Sequence, residues 1–325
     1  MEKALRKECN TQGIALFIYK MIMSTAVTVV MLGGTVVYLI NQMLKGEINL
    51  DTFADSMMEY VLQSASSGWG YMLAIAVGMV ILLIWKKPSF FRNEVLKKGR
   101  PVGVGSFFVI LCVFMSAQMV SQLGVIVMDG LLGFFGKSMT QFLESGGSIS
   151  TDTFSMWLYA GLAAPVFEEV LFRGLIMRSL EPYGKRLSIL VSALLFGFFH
   201  GNPVQAPYAA LVGLVLGYVA MEYNIIWAMV LHMFNNLVFA DALPRLLQNL
   251  PLDVQNVLMY ALMIAFALAA IILLIVKRRQ VMESIRKDII QPWQYNAAFL
   301  SPMILVVIGS CVADMALFML MVLIA

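Results

Sequence analysis

The chain has 325 residues, of which 61% are hydrophobic and 13% are charged, and its mean hydropathy is +0.85. Soluble domains carry about 25% charged residues, so this composition excludes an ordinary soluble protein and indicates an integral membrane protein. The net charge of +3 lies mostly in short loops and does not indicate nucleic-acid binding. Because the apolar runs lack the period-two alternation of membrane β-barrels, we expect an all-α, polytopic bundle of transmembrane helices.

Apolar runs of spanning length predict about eight or nine transmembrane helices. The candidate segments, in chain order, are 14–42, 68–85, 102–128, 155–178, 187–201, 206–222, 224–241, 256–276 and 298–322. The segments 187–201 and 206–222 are short, and Gly201, Pro203 and Pro207 interrupt the chain between them. Short helices of this kind often line a cavity at membrane depth, so we expect a polar cavity inside the bundle.

Loop charges predict the orientation of the chain. The stretches 86–101, 178–186 and 277–287 are rich in Lys and Arg, whereas 43–67 is acidic. The positive-inside rule then places the N-terminus and the three basic loops in the cytoplasm. The N-terminal apolar run has no small-residue cleavage site, which favours an uncleaved first span over a signal peptide. The compact layout favours a bacterial cell membrane.

Ionisable residues inside apolar runs indicate a candidate site. Glu168, Glu169 and Arg173 lie in the run "APVFEEVLFRGLIMRSL". The sequence contains only two histidines, and both of them, His200 and His232, lie in other apolar runs. A charge at the bilayer centre costs about 2.5–3.5 kcal/mol on insertion scales, so an intramembrane ionisable residue is a functional hypothesis by default.

Helical spacing separates the two glutamates. Glu169 and Arg173 are four residues apart with the glutamate first, so we expect an ion pair. Glu168 is rotated by about 100° from Glu169 and is free to point elsewhere. We expect Pro165 to be the first residue of its helix, which would place both glutamates in the first turn, where the helix dipole favours them. Asp314 is another intramembrane acid, and we expect it to have a packing or hydrogen-bonding role.

Three motifs follow one another along the chain, each on a hydrophobic helix. They are Glu-Glu-x-x-x-Arg within "FEEVLFRG", Phe-x-x-x-His at Phe196 and His200, and His-x-x-x-Asn at His232 and Asn236. Together they resemble the CPBP family of CAAX-processing and bacteriocin-processing intramembrane proteases, also called Abi or type II CAAX endopeptidases.

The resemblance covers residues 153–241 and divides the chain. We predict N-terminal transmembrane helices and loops in 1–152, a CPBP/Abi-like catalytic core in 153–241, and C-terminal transmembrane helices in 242–325. No motif that we recognise covers the flanking segments.

The resemblance implies a role for each motif residue. Glu168 would activate the attacking water with help from His200, and His232 and Asn236 would stabilise the tetrahedral oxyanion. The implied supporting residues are Glu169, Arg173 and Phe196. These residue types suit the reaction, because peptide hydrolysis needs a base to deprotonate water and hydrogen-bond donors aimed at the developing negative charge.

The sequence leaves the need for a metal open. Glu168, His200 and His232 are a possible His₂Glu set for zinc with an open position for water. The His-Glu-x-x-His signature of many zinc proteases is missing from the sequence. Zinc is therefore a possible cofactor, and both a glutamate-dependent and a metal-dependent protease remain open.

The favoured function is an intramembrane endopeptidase that hydrolyses a peptide bond of a peptide or membrane-protein substrate within the lipid bilayer, without nucleic acid. The alternative is a non-proteolytic membrane immunity or regulatory scaffold that keeps the family fold. The complete set of motif residues argues against a scaffold, which has no need of them. A secondary transporter would show inverted repeats, and we find none in the sequence.

Overall fold

The computed structural model describes residues 1–46, 57, 60–61, 64, 67–143 and 153–324. These residues form helices, turns and connections without a β-strand, which confirms the predicted all-α fold. The end of the predicted N-terminal segment at residue 152 lies outside the described residues. So do the carboxylates of the acidic stretch, which are Glu47, Asp51, Asp55 and Glu59.

The described helices begin with α1 (Glu2–Lys45), α2 (Trp69–Phe90, continued by the π-helical turn Phe91–Val95), α3 (Val104–Ser116), α4 (Gln118–Gly133) and the short α5 (Met139–Phe142). Helix α6 follows, from Phe154–Leu158 to Arg178–Leu180, and then α7 (Lys185–Phe199) and α8 (Gln205–Glu222). Helix α9 comprises Ile225–Phe234, Asn235–Ala242 and Leu243–Leu247. The chain continues with α10 (Leu252–Val276), α11 (Arg278–Lys287), α12 (Pro292–Phe299) and α13 (Pro302–Ile324).

Six helical segments of the described part are long and apolar enough to cross a membrane. They are Glu2–Lys45, Trp69–Val95, Val104–Gly133, Ile225–Leu247, Leu252–Val276 and Pro302–Ile324. The three other predicted spans correspond to α6, α7 and α8. Helices α7 and α8 have 15 and 18 residues, fewer than the roughly 20 that span a bilayer unaided. A polytopic bundle is therefore confirmed, and the total of eight or nine spans stays a prediction.

Helix α6 alternates between α-helical and π-helical turns. It starts at Phe154, and its π-helical stretches are Tyr159–Ala163 and Glu169–Met177. The expectation that Pro165 begins a helix, with both glutamates in its first turn, was therefore wrong. Inside an apolar bundle, backbone N–H and C=O groups have no water to bind, so the helix is more stable when it extends to residues before Pro165. The wide turn just before Pro165 fits a residue that has no N–H to donate.

Close contact between α7 and α8 fixes the position of the residues that follow α7. A Cβ atom on Gly197 would lie 2.6 Å from the Ala206 carbonyl oxygen and 2.8 Å from the Ala210 Cβ, so only glycine fits there. Small residues allow such close helix approach in membranes. The connection turns at Gly201, whose φ of 61° is left-handed, and the Asn202 side chain then accepts hydrogen bonds from the first amides of the next helix.

Candidate active site inside the helix bundle

A cavity of about 340 Å³ lies between α6, α7, α8 and α9, and Met23 of α1 and Tyr71 of α2 complete its lining. Its lining includes Glu168, His200, His232 and Asn236, the four residues that the motifs indicated as catalytic candidates. They come from three separate helices, so the fold brings together side chains up to 68 positions apart in the chain, from Glu168 to Asn236. The cavity is thus a candidate active site that gathers ionisable and amide side chains inside an otherwise apolar bundle.

The two adjacent glutamates have different surroundings. The Glu168 side chain is 21% exposed, and its Oε2 lies 3.7 Å from Nε2 of His232. The Glu169 side chain is fully buried. A carboxylate that is reachable from the cavity therefore stands beside one that is sealed in the protein.

Glu169 and Arg173 together join three helices. The Glu169 Oε1 accepts a hydrogen bond from the Arg173 guanidinium at 2.9 Å and lies 3.0 Å from Nδ1 of His232. Arg173 also donates to the carbonyl oxygen of Gly213 at 3.2 Å. Buried charges are tolerated when they are paired and hydrogen-bonded, so this cluster connects α6 to α8 and α9. The expected Glu169–Arg173 pair is present in the structure.

Phe196 packs at the centre of the ionisable groups. Its ring centroid lies 4.8 Å from that of His200 and 5.7 Å from that of His232, and both histidine rings meet it edge-on. The guanidinium carbon of Arg173 lies 4.4 Å from the same centroid, a cation–π arrangement. Phe196 therefore fixes the rotamers of its polar neighbours by packing.

The imidazole of His200 is hydrogen-bonded to the backbone carbonyl of Phe196, one helical turn earlier. Its Nδ1 lies 2.8 Å from the Phe196 carbonyl oxygen. A carbonyl oxygen only accepts, so Nδ1 carries the hydrogen, and Nε2 of the neutral imidazole is an acceptor. His200 thus offers the cavity a lone pair that can accept a hydrogen bond from water.

Asn236 is fixed at both ends of its amide. Its Nδ2 donates to the Ala160 carbonyl oxygen at 2.8 Å, and its Oδ1 accepts from Asn235 Nδ2 at 3.0 Å. A carboxamide nitrogen carries two hydrogens. One N–H of Asn236 is committed to Ala160, which leaves the second available to a ligand in the cavity.

The candidate residues do not fit a zinc site. In the described part of the chain, no group of three His, Cys, Asp or Glu side chains is arranged to hold a metal ion. The suggested set of Glu168, His200 and His232 is among the groups that lack this arrangement. The metalloprotease prediction is therefore not supported.

Several cavity residues were missed from the sequence. Tyr159 and Tyr208 line the cavity, but no helical motif distinguishes them from other aromatic residues of apolar runs. Asn235 also lines it; like Asn236 it is an amide within an apolar run, but the His-x-x-x-Asn pattern passes over it. Gln118, which contacts Asn235, lies outside the motif region; the available signal was an amide within an apolar run.

Asp314 lies next to the site and not in it. Its carboxylate is 2.6 Å from the Lys20 ammonium, and its Cβ and carboxylate atoms are close to Gly201, the residue after His200. The expected polar role of this acid is an ion pair between α1 and α13.

The fold and the cavity together describe a polytopic membrane protein with a candidate hydrolytic site between its helices. Residues 150–238 match the family model described as "Type II CAAX prenyl endopeptidase Rce1-like". This match confirms the resemblance to the CPBP and CAAX protease family, and it supports a membrane protease. No curated protein and no solved structure gave a significant match to the chain.

Proposed function

We propose that the protein is an intramembrane endopeptidase in which Glu168 activates the attacking water. The observation that carries this proposal is the contrast between the two glutamates. The Glu168 carboxylate is reachable from the cavity, whereas Glu169 is sealed and bound to Arg173 and His232. A general base must be accessible to its substrate water, and only the first carboxylate satisfies this requirement.

The proposed reaction begins with a water molecule held between Glu168 and Nε2 of His200. Glu168 takes one proton of the water while the water oxygen forms a bond to the carbonyl carbon of the scissile peptide. The electron pair of the C=O bond moves to the oxygen and gives a tetrahedral oxyanion. When the oxyanion collapses, the C–N bond breaks, and the proton on Glu168 passes to the leaving nitrogen.

His232 and Asn236 are the proposed oxyanion donors. Asn236 uses one N–H to bind the Ala160 carbonyl and its oxygen to bind Asn235, so its second N–H is uncommitted. His232 donates from Nε2 when the ring is protonated at both nitrogens, since Nδ1 is bonded to Glu169. Donors placed before the reaction are the most effective oxyanion stabilisers.

The proposed substrate is a peptide or a membrane-protein segment that enters the cavity from within the bilayer. The description of the matched family names prenyl endopeptidases, and peptide hydrolysis is the part of that activity which the cavity supports. The proposed setting is a bacterial cell membrane with the N-terminus in the cytoplasm, in keeping with the basic loops.

The test is cleavage of a quenched fluorescent peptide library, with and without a farnesyl group, by the purified protein in nanodiscs. Glu168→Gln should reduce cleavage by about 10²–10⁴-fold, whereas Glu94→Gln, which changes an exposed carboxylate in the turn Phe91–Val95 and outside the cavity lining, should not. A chelator should leave the rate unchanged. Undiminished cleavage by folded Glu168→Gln would overturn the assigned base. A folded wild-type protein that cleaves no peptide but binds a membrane partner would favour the scaffold instead.

A further inference from the structure

A group of amide and hydroxyl side chains extends from Asn236 to a helix outside the matched family segment. Helix α3 ends at Ser116 and α4 begins at Gln118. Gln118 thus lies at a junction in the middle of an apolar segment. A carboxamide there needs hydrogen-bond partners, because the bilayer offers it none. Its partners are Tyr208 and Asn235, both of which line the cavity.

Hydrogen bonds join these three residues in a closed triangle. Gln118 Nε2 lies 2.6 Å from Asn235 Oδ1 and 2.8 Å from the Tyr208 hydroxyl oxygen, so both of its hydrogens are used. The Tyr208 hydroxyl donates to the same Asn235 Oδ1 at 3.0 Å. Asn235 Oδ1 therefore accepts two hydrogen bonds, which is the full capacity of an amide oxygen.

The triangle determines which way the next amide points. Because Asn235 Oδ1 faces Gln118 and Tyr208, its Nδ2 is the end that faces Asn236, and it donates to Asn236 Oδ1 at 3.0 Å. Asn236 Nδ2 is then at the other end, where it donates to Ala160. A flipped Asn236 would place two N–H groups against each other and two oxygens against each other. Unpaired polar groups of this kind are costly in a buried site.

We propose that Gln118, Tyr208 and Asn235 are positioning residues that hold an N–H of Asn236, and not its carbonyl oxygen, available to the oxyanion. The inference deepens the proposed function and rests on it, because an oxyanion needs donors and is repelled by a carbonyl oxygen. Gln118 and Tyr208 act only through Asn235, and Asn235 acts through Asn236. The three residues fix the oxygen end of the Asn236 amide, and the Ala160 carbonyl fixes its nitrogen end.

A purely structural role is the competing explanation. Polar side chains often join membrane helices by hydrogen bonds of this kind. A structural role would lower the thermal stability of variants without changing the turnover of the folded enzyme. Ser192→Ala is a matched control for that role, because it removes a buried hydrogen bond from α7 to the Phe172 carbonyl and none to the asparagines.

The kinetic experiment is a double-mutant cycle. Tyr208→Phe combined with Gln118→Leu removes both donors to Asn235. We expect this variant to lose about 10-fold in kcat with KM nearly unchanged, a fraction of the 10²–10³ typical of deleting a whole oxyanion donor. The same pair of changes made in Asn236→Ala should cause no further loss. Ser192→Ala should lower Tm and leave kcat unchanged.

A spectroscopic experiment tests the same inference without catalysis. In protein labelled with ¹⁵N only at asparagine, the side-chain signals of Asn236 are identified by their disappearance in Asn236→Ala. Tyr208→Phe with Gln118→Leu should shift or split these signals, whereas Ser192→Ala should not. Unmoved Asn236 signals would overturn the inference, as would a kcat loss that persists in Asn236→Ala. If the signals shift but the wild-type protein cleaves no peptide, the three residues do orient Asn236 and the proposed protease function is wrong.

Discussion

His232 and Arg173 bind the same oxygen atom of Glu169, at 3.0 Å and 2.9 Å, and the structure shows no hydrogen-bond partner among the described residues for the other carboxylate oxygen of this side chain. The sequence indicates the pairing with Arg173 by its four-residue spacing, but not the contact with His232, 63 residues further along the chain. Glu169 therefore orients a proposed oxyanion donor as well as neutralising an arginine. This double contact determines how the two glutamates should differ on substitution.

We predict that Glu168→Gln and Glu169→Gln have different effects. Loss of the general base should reduce kcat by about 10²–10⁴-fold with little change in Tm. A glutamine in place of Glu169 keeps one acceptor oxygen but loses the charge that balances Arg173, so Glu169→Gln should mainly lower Tm and reduce kcat less. Peptide cleavage and thermal unfolding of both variants check the division. Equal loss of activity at unchanged Tm would show that the two roles have been divided wrongly.

Asn236→Ala should reduce kcat by about 10²–10³-fold, the cost of one oxyanion donor. Substrate binding should change little, because the donor acts on charge that develops only in the transition state. Steady-state kinetics at several peptide concentrations separate the two effects. A helix-joining role alone would leave the turnover of the folded protein nearly unchanged, and that result would remove Asn236 from the site.

The Lys20–Asp314 pair should stabilise the packing of α1 against α13. Asp314→Asn leaves the largely buried Lys20 ammonium without its counter-charge. Breaking a fully buried pair costs about 3–5 kcal/mol; here the Asp314 side chain is 48% exposed, so we expect about 1–3 kcal/mol. Replacing both residues, Lys20→Met with Asp314→Leu, should recover most of the loss. Thermal unfolding in detergent measures it, and a double variant less stable than Asp314→Asn would contradict the pair.

Gly197→Ala should force α7 away from α8 and displace His200. The added Cβ would lie 2.6 Å from a backbone oxygen, and overpacking of this kind costs about 1–3 kcal/mol. Gly130→Ala is the matched control, because a Cβ there has no neighbour within 4 Å. Alanine should stabilise that helical position by up to about 1 kcal/mol. Tm and peptide cleavage of both variants check the prediction, which fails if Gly197→Ala is as stable and active as wild type.

The sequence predicted the fold class because every segment that crosses a bilayer must be apolar and about 20 residues long. Both properties can be read from the sequence of each segment separately. It predicted the Glu169–Arg173 pair because that contact lies within one helix. The apolar run predicted a segment from residue 155, close to the start of α6 at Phe154. The expectation that Pro165 begins a helix was wrong, because the helix already continues through the turn before it. The preference of proline for the first position of a helix was overridden at Pro165, because the backbone of a buried helix needs its hydrogen bonds.

The convergence of residues on the cavity depends on long-range packing. Spacing placed His232 and Asn236 on one face of α9, and the structure puts both in the cavity lining. The connection of α9 to Gln118, 117 residues away from Asn235, leaves no periodic signal because the partners lie on different helices. Their catalytic roles remain proposals from the geometry.

The Glu169–Arg173 pair also has a consequence for the biogenesis of the protein. Its two members are on one helix, so they can neutralise each other as soon as α6 has formed, before any later segment has been synthesised. A helix that carried either charge alone would enter the lipid far less readily. His232 emerges from the ribosome 63 residues after Glu169 and joins a carboxylate that is already held in place. We expect α6 to enter the membrane with the charges of Glu169 and Arg173 already paired, and the site to be completed when α9 packs against it.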